Sequence, residues 1–335
     1  MGLLILRRLV FLIVTIFGMS LFIFVVTHAV PQDPARLVAG DYATRATLEK
    51  VRRDLGLDRP VWEQYVLYMK ALVRGDLGRS FMSNKPVLKE ILTFLPATLE
   101  LGLASIVFSL ILGLGLGVLS AVRRGRAIDH LSRLVSVAGA AMPIFWYGLM
   151  LQLIFYRRLG WLPVGGRLSA GFTPPAGVTG FYTLDSLLAG QPAVAWDAGL
   201  HLILPALSLS LITVAILARI TRSSMVETLA QDYVRTARSK GLRERRVVLV
   251  HALRNASLPI VTVFGLRLGA VFAGAVLTEA VFAWPGIGTY AYKAIEFSDF
   301  PVIIGFSIIT SLLYAVINLM TDLVYFALDP RLQQR

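Results

Sequence analysis

The chain contains no cysteine, which removes disulfides, iron–sulfur centres and thiolate chemistry together. Charge is scarce as well: only 16% of the 335 residues are Asp, Glu, Lys or Arg, against 56% hydrophobic. Signatures of reaction chemistry are missing. Neither H-E-x-x-H, G-x-S-x-G nor a G-x-x-x-x-G-K-[ST] phosphate loop occurs. The four histidines, His28, His130, His201 and His251, stand far apart. His28 and His201 fall near one external face, which leaves a metal between them open, although isolated interfacial polar residues are the simpler reading. Acids within the apolar runs are few, with Glu100 and Glu279 near run ends and Asp322 near the inner end of the last run. Buried acids are the usual mark of ion coupling, so uphill movement of a solute would draw on a separate ATP-hydrolysing subunit. No long low-complexity run or convincing repeat is present.

What is present is apolar sequence in spanning lengths. Runs of about 20 residues, enough for about 30 Å of hydrocarbon, occur near 9–29, 98–122, 131–155, 200–218, 258–280 and 302–328. This distribution predicts an all-α polytopic membrane protein with about six spans. The formal charge of +13 is a matter of topology rather than of nucleic acid. Arg7 and Arg8, the Arg123–Arg126 cluster with Arg133, nine Lys/Arg between 219 and 257, and Arg331 with Arg335 all fall on alternate loops. That is the positive-inside pattern, with both termini cytoplasmic. The first apolar run exceeds a signal-peptide core and reads as a retained span. Position 6 is Leu, so a myristoylation signal is not indicated. The chain divides into an N-terminal span (1–30), an extracytoplasmic helical segment (31–97) and a core membrane domain (98–335).

Outside the first span, Pro31-Gln32-Asp33-Pro34 breaks the helix. Thr44 is placed to cap a helix running to Leu55, and Pro60 to open one that ends near Gly75. Gly75-Asp76-Leu77-Gly78 reads as a turn. Residues 160–198 are rich in Gly and Pro, with Trp161 and Trp196 suited to the interface, and read as a belt of surface turns rather than a lid.

The basic loop 219–257 is the most informative stretch. Val226, Leu229, Tyr233 and Ala237 recur at helical spacing, Gln231, Arg235 and Arg238 lie opposite, and Gly241 supplies a left-handed stop. Val247, Val250 and Leu253 give a second helix an apolar stripe, and Pro259 fits the first turn of the next span. Within that span Arg267 lies about 12 Å deep. It reads either as a cationic site on a path, attracting an anionic group such as a peptide carboxylate, or as a structural pair with Asp322 or Asn318, or as a snorkelling side chain. Gly113-x-x-x-Gly117 and Gly265-x-x-x-Gly269 permit close helix approach.

From Asp232-Tyr233-Val234-Arg235-Thr236-Ala237-Arg238-Ser239-Lys240-Gly241 through His251-Ala252-Leu253-Arg254-Asn255-Ala256 to Leu258-Pro259, the loop resembles the cytoplasmic coupling motif of ABC importer permeases of the dipeptide and oligopeptide branch. The resemblance extends over Asp33-Pro34-Ala35, Gly75-Asp76-Leu77-Gly78, Leu95-Pro96-Ala97-Thr98-Leu99-Glu100, Gly160-Trp161-Leu162-Pro163, His201-Leu202-Ile203-Leu204-Pro205, Glu279-x-x-Phe282-x-Trp284-Pro285-Gly286-Ile287-Gly288 and Asp329-Pro330-Arg331, which is essentially the whole chain. Departures are Arg235-Thr236-Ala237 in place of an opening Glu-Ala-Ala, a longer Gly-to-Pro spacing, Gln32 where Gly is usual, and Arg267 where a neutral residue is expected.

The resemblance implies a type I ABC importer permease fold and a non-catalytic subunit in a bacterial inner membrane. It further implies a second homologous permease, two cytoplasmic ABC ATPases that bind the ATP and Mg, and an extracytoplasmic peptide-binding protein, with no cofactor in this chain. Asp232, Tyr233, Arg235, Ala237, Arg238 and Gly241 would then couple to the ATPase, and Arg267 would be a substrate-path candidate. The other arginines of the loop would face the ATPase or inner-leaflet lipid. The same architecture carrying nickel chelates, glutathione or opines is a rival reading. A membrane-anchored signalling or nucleic-acid-binding module is a remote one, because Val247, Val250 and Leu253 look made for burial. An intramembrane hydrolase lacks a nucleophile–base pair at any sensible depth.

Overall fold

A backbone in hydrocarbon must satisfy its own N–H and C=O groups, so apolar runs of spanning length become helices. The computed structural model describes residues 2–29, 34–39, 43–54 and 56–328. Its helices are α1 (Gly2–Ala29), α2 (Pro34–Ala39), α3 (Arg45–Asp54), α4 (Val61–Val73), α5 (Val87–Val122), α6 (Ala127–Ala141), α7 (Ile144–Leu151), α8 (Tyr182–Leu188), α9 (Pro192–Leu229), α10 (Asp232–Ser239), α11 (Glu244–Arg246), α12 (Leu253–Val281), α13 (Ile287–Glu296) and α14 (Phe300–Leu328). Gln152–Arg158 and Val247–Ala252 are π-helical. Among the described residues the only β-type pairing is one antiparallel bridge between Arg79 and Pro86. Gln32, Asp33, Leu55 and Asp329 to Arg331, and the side chains of Arg7, Arg8, His28 and Asp322, lie outside the described residues.

Four stretches are long and apolar enough to span a membrane: Val87–Val122, Pro192–Leu229, Glu244–Phe272 and Phe300–Thr321. A fifth is the pair α6 and α7 with its π-helical extension, bent by 116°. In α1 the described apolar stretch is Ile13–Val26. The bend departs from the single straight helix expected over 131–155. Pro143 has no N–H to donate and pushes the preceding residue out of the helical region; Met142 is extended (φ −102°, ψ 148°). Carbonyls at the end of α6 lose their helical donors, and the Tyr147 hydroxyl reaches back to one of them, that of Ala138.

The chain forms two compact units, Met1–Leu95 with Tyr290–Ala315 and Pro96–Thr289 with Val316–Arg335. In the first, Thr44 caps α3 as expected, accepting the Thr47 N–H at 3.3 Å. Gly75 turns the chain after α4 with φ +76°, and Asp76 Oδ1 accepts the Gly78 N–H at 2.9 Å. Asp299 is fully buried and accepts the Ser80 hydroxyl at 2.6 Å and the Met82 N–H at 3.2 Å. Tyr290 donates its hydroxyl to Glu90 at 2.7 Å; burial, then that carboxylate, push the phenol well above its ordinary pKa.

In the second unit, α9 is the central rod. Between helices in lipid, attraction comes from close packing rather than from the hydrophobic effect, and glycine allows it. A Cβ at Gly113 would lie 2.7 Å from Leu217 Cβ, and one at Gly117 would lie 2.5 Å from Thr221 Cβ. The first expected small-residue pair therefore seats α5 on α9. Ala97, Leu101, Ala206, Leu209, Val271, Ala275 and Trp284 form one buried cluster. A second gathers Ala121, Leu217, Met225, Val248, Ala252, Ala256 and Ile260.

Candidate functional site

The segment 230–241 hangs directly from a span, because α9 is continuous from Pro192 to Leu229, about 57 Å at 1.5 Å per residue. The turn at Ala230 and Gln231 then resets the helical phase, so the face expected through Val226, Leu229, Tyr233 and Ala237 is not continuous. In α10 it is Val234 and Ala237 that are buried, against Val247, with Leu229 and Leu242 packed beside them. Tyr233 turns outward at 43% exposure. Asp232, Arg235 and Arg238 are exposed as expected, and Gly241 comes next with φ +73°. Arg238 holds Glu244 in a fork, Nη2 to Oε1 at 2.7 Å and Nε to Oε2 at 3.2 Å. The Asp232–Arg235 pair is looser at 3.5 Å and almost fully solvated, so it adds little. The result is a short, internally cored knob with an aromatic and several cations on its outer face.

The apolar stripe after the knob is also altered. A π-turn carries more residues per turn than an α-helix, so over Val247–Ala252 the buried set becomes Val247, Val248 and Ala252, while Val250 is 49% exposed. Pro259 lies inside α12 rather than in its first turn, where it leaves the Asn255 carbonyl without a helical donor.

At the root of the knob, Arg222 of α9 clamps Asp129 of α6, Nε to Oδ1 at 2.6 Å and Nη2 to Oδ2 at 3.0 Å. Asp129 is fully buried and also accepts the Ser120 hydroxyl and the Gly125 N–H. One carboxylate thus ties the end of α5, the 123–126 turn and α6 to the rod that carries α10.

At the opposite end of α9 the segment 160–198 is mostly exposed, as a belt of surface turns would be, with Trp161 and Trp196 facing outward, but it is tied down by a buried polar network that the sequence did not announce. Arg167 is buried, donating to Glu100 Oε2 at 2.5 Å and to the Gly180 carbonyl at 2.8 Å, and lies over the Tyr182 ring at 3.5 Å. Glu100 Oε1 accepts the Thr183 N–H and hydroxyl at 2.9 and 2.6 Å. His201 places Nδ1 2.8 Å from the Gly165 carbonyl and Nε2 3.1 Å from Ser169 Oγ, and Ser169 bonds Asp197 through both N–H and hydroxyl. Gln152 bridges the Val164 and Val281 carbonyls. Among the described residues no group of three His, Asp or Glu is placed to hold a metal.

Within this segment Asp185 caps its own approach. Burial pushes its carboxyl up, but the Thr179 hydroxyl and the N–H groups of Thr179, Gly180 and Val178 outweigh this and hold the pKa below the ordinary carboxylate value. A lowered folded-state pKa gives stability that is present above the unfolded value, about 3.9, and lost as pH falls through the folded one. Hydrogen exchange of the 178–185 amides is therefore expected to be slow and pH-insensitive, after correction for intrinsic rates, down to about pH 4, and to accelerate below it. In Asp185→Asn the corrected protection should already be low at neutral pH.

Glu279 is fully buried under the Trp284–Gly288 turn. It accepts the Thr98 hydroxyl at 2.6 Å and the Thr289 N–H at 2.9 Å. Trp284 Nε1 donates to the Ala97 carbonyl at 2.9 Å. A Cβ on Gly286 would overlap the carboxylate, and one on Gly288 would lie 2.6 Å from Val276 Cα. Gly286→Ala is expected to lower the melting temperature of the purified protein by several degrees, the effect of an overpacked site costing about 1–3 kcal/mol; an unchanged melting temperature would show that the turn yields freely.

Arg267 is half-buried on α12 and makes no hydrogen bond or ion pair with any described residue, Asn318 included. The carboxylate anchors Asp129, Glu100, Glu279 and Asp185 were not anticipated as a set. Glu100 and Glu279 stand out in the sequence as acids near the ends of apolar runs and within the resembling motifs, whereas Asp129 and Asp185 carry no such signal.

Residues 113–334 match the family described as binding-protein-dependent transport system inner membrane component, and residues 1–102 match its N-terminal companion, binding-protein-dependent transport system membrane component, N-term. The chain is 47% identical over 321 residues to the probable D,D-dipeptide transport system permease protein DdpB of Escherichia coli (strain K12), covering 96% of this chain and 94% of that one. It is 42% identical to the dipeptide transport system permease protein DppB of Alkalihalophilus pseudofirmus, covering 98% of each. It is 39% identical to the glutathione transport system permease protein GsiC of Escherichia coli O6:H1, covering 99% of each. Among solved structures, a chain of the MetNI methionine ABC transporter in inward-facing conformations matches with a TM-score of 0.50 and 18% identity over 70% of this chain and 93% of that one.

Proposed function

We propose, from the premise that this chain belongs to the binding-protein-dependent transport system inner membrane component family, that it forms one half of a path for dipeptides or short oligopeptides. The chain is a multi-pass membrane-spanning permease subunit of an ABC importer and is not itself catalytic. The permease relatives named for dipeptides support the substrate class. In this reading a second homologous permease completes the path, two cytoplasmic ABC ATPases bind the ATP and Mg, an extracytoplasmic binding protein delivers the peptide, and both termini are cytoplasmic.

The observation that carries the mechanism is the unbroken α9 with α10 at its foot. Asp232, Tyr233, Arg235 and Arg238 present the outer face of the knob to an ATPase. Ala237, buried, and Gly241, left-handed, set its shape and aim. When ATP draws two ATPases together, each knob is displaced, and a continuous helix about 57 Å long carries that displacement to the buried network at its far end. A two-state element biased from both ends meets the requirement for coupled sites.

Arg267, half-buried with no described partner, serves in this reading as a cationic point on the path. Arg267→Leu should raise KM for peptides with a free C-terminal carboxylate while leaving C-terminally amidated peptides unaffected; equal effects on both would remove it from the path. The GsiC relative makes glutathione, itself a carboxylated tripeptide, the second reading. Uptake of labelled dipeptide into cells with and without this chain, with glutathione as competitor, separates the two. Peptide uptake that depends on the chain and resists glutathione supports the first; competition by glutathione at lower concentration than by unlabelled dipeptide supports the second.

A further inference from the structure

We propose that α4 lies in the lipid interface beside α1 as an in-plane helix, and that the cleft at its C-terminal end binds the phosphate of a phospholipid through Arg74 and Lys89. Depth is the first observation. The apolar run 9–29 ends five residues beyond Phe24 and nine beyond Ser20, about 8 and 14 Å along a helix. It is there that α4 packs. Ser20 Oγ lies 3.1 Å from Tyr65 Oη and 3.4 Å from Met69 Sδ, and Phe24 meets Tyr65 edge-on at 5.1 Å and stacks on Tyr68 at 6.1 Å. A helix that packs against the outer half of a membrane-spanning segment meets the lipid layer below its outer boundary and is not on an aqueous surface.

The outward face of α4 suits that place. At 100° per residue, Trp62, Val66 and Val73 fall within about 40° of one another. They are 67%, 42% and 83% exposed. Glu63, Lys70 and Arg74 run along the adjoining edge, within about 40° of one another and about 80° further round. An apolar stripe carrying Trp, bordered by an edge of one acidic and two basic residues, suits a helix lying at the headgroup boundary, with Lys70 and Arg74 reaching toward phosphates.

The cleft supplies the charge. About 560 Å³ in volume, it is lined by Arg74, Asp76, Leu77, Leu88, Lys89 and Leu92 among others. Leu92 is 56% exposed and gives the cleft an apolar wall. Arg74 ends α4, its N–H returning to the Ala71 carbonyl at 3.0 Å. Lys89 stands in the first turn of α5, where the helix dipole disfavours a cation. Neither side chain has an ion-pair or hydrogen-bond partner among the described residues. Asp76 offsets one of the two positive charges, and one of its oxygens is already taken by the Gly78 N–H. The net balance of one positive charge matches a singly charged phosphodiester. A water-soluble protein would have to enter the apolar layer to cover the stripe, so lipid is the occupant.

The absence of cysteine from this chain makes the test direct. Val66→Cys and Val73→Cys each give it one labelling site. A bimane probe is attached in the assembled transporter, with cysteines of the partner subunits replaced, in nanodiscs of phosphatidylethanolamine and phosphatidylglycerol. Spin-labelled acyl chains should quench both positions several-fold more than aqueous iodide does. Native mass spectrometry of the transporter released from the same nanodiscs should show a retained phospholipid that Arg74→Gln with Lys89→Gln loses. Quenching mainly by iodide would overturn the interfacial placement. Protection from both quenchers on adding the binding protein would identify a protein surface instead. Lipid retained equally by the double variant would overturn the phosphate site.

Discussion

Valine in place of Gly241 is expected to reduce uptake to background while the chain stays in the membrane at normal abundance. Gly241 adopts φ +73°, and an added Cβ would meet nothing within 4 Å. The obstacle is therefore the backbone and not crowding. Left-handed geometry costs an L-residue about 1–2 kcal/mol, and a β-branched one more. That is small beside the stability of a domain, about 5–15 kcal/mol, so folding survives. The strain is relieved by letting the turn after α10 take another path, which pulls Leu242 and Val247 away from Val234 and Ala237 and re-aims the knob. Asparagine, which enters the left-handed region more readily, should keep most of the activity. Immunoblots of membranes beside uptake assays check the outcome: normal uptake by the valine variant would separate this turn from coupling.

The second large effect is expected at Arg222. Asp129 is fully buried, and Arg222 supplies its only fork of two short bonds; Arg133 reaches it at a longer 3.3 Å from an exposed position. Removing one partner of such a pair typically costs about 3–5 kcal/mol, because the other charge is stranded. Arg222→Met should therefore lower the melting temperature sharply and reduce coupling, since α6 and the 123–126 turn lose their tie to the rod. The double variant Arg222→Met with Asp129→Asn should recover much of the stability, as burying neither charge is cheaper than burying one. Thermal unfolding of the four proteins of the cycle measures the coupling energy directly. A double variant no more stable than Arg222→Met would mean that the arginine acts by packing alone.

The sequence made the spans legible because length and hydropathy are sufficient evidence for a helix in lipid: of the five runs from 98–122 onward, four fall within single helices and 131–155 is divided between α6 and α7 with its extension. It did not make their phase legible. In an all-apolar run no face is marked, so the bend at Met142 and Pro143 and the onset of α5 at Val87 rather than Thr98 had no periodic signal. In the basic loop 219–257 periodicity was present but was interrupted by a turn at 230–231 and a π-segment at 247–252, each of which rotates the residues beyond it. Hence Val234 is buried in place of Tyr233, and Val250 faces out. Local signals fared better: Thr44 as a cap, Gly241 as a left-handed stop and Gly113 with Gly117 as a close contact depend on neighbours along the chain or on missing side-chain bulk. The carboxylate anchors were least legible, because Glu100 with Arg167 or Asp129 with Arg222 joins residues 67 and 93 positions apart, and no short-range pattern announces such a partner.

The most direct test of the coupling account is purification of this chain from its native membrane in mild detergent, with identification of the proteins that accompany it and assay of ATP hydrolysis with and without peptide-loaded binding protein. The account predicts recovery of a second permease with ABC ATPases, hydrolysis stimulated by the loaded binding protein, and loss of that stimulation in Gly241→Val. A chain that purifies alone or as a homodimer, with no ATPase attached, would contradict it.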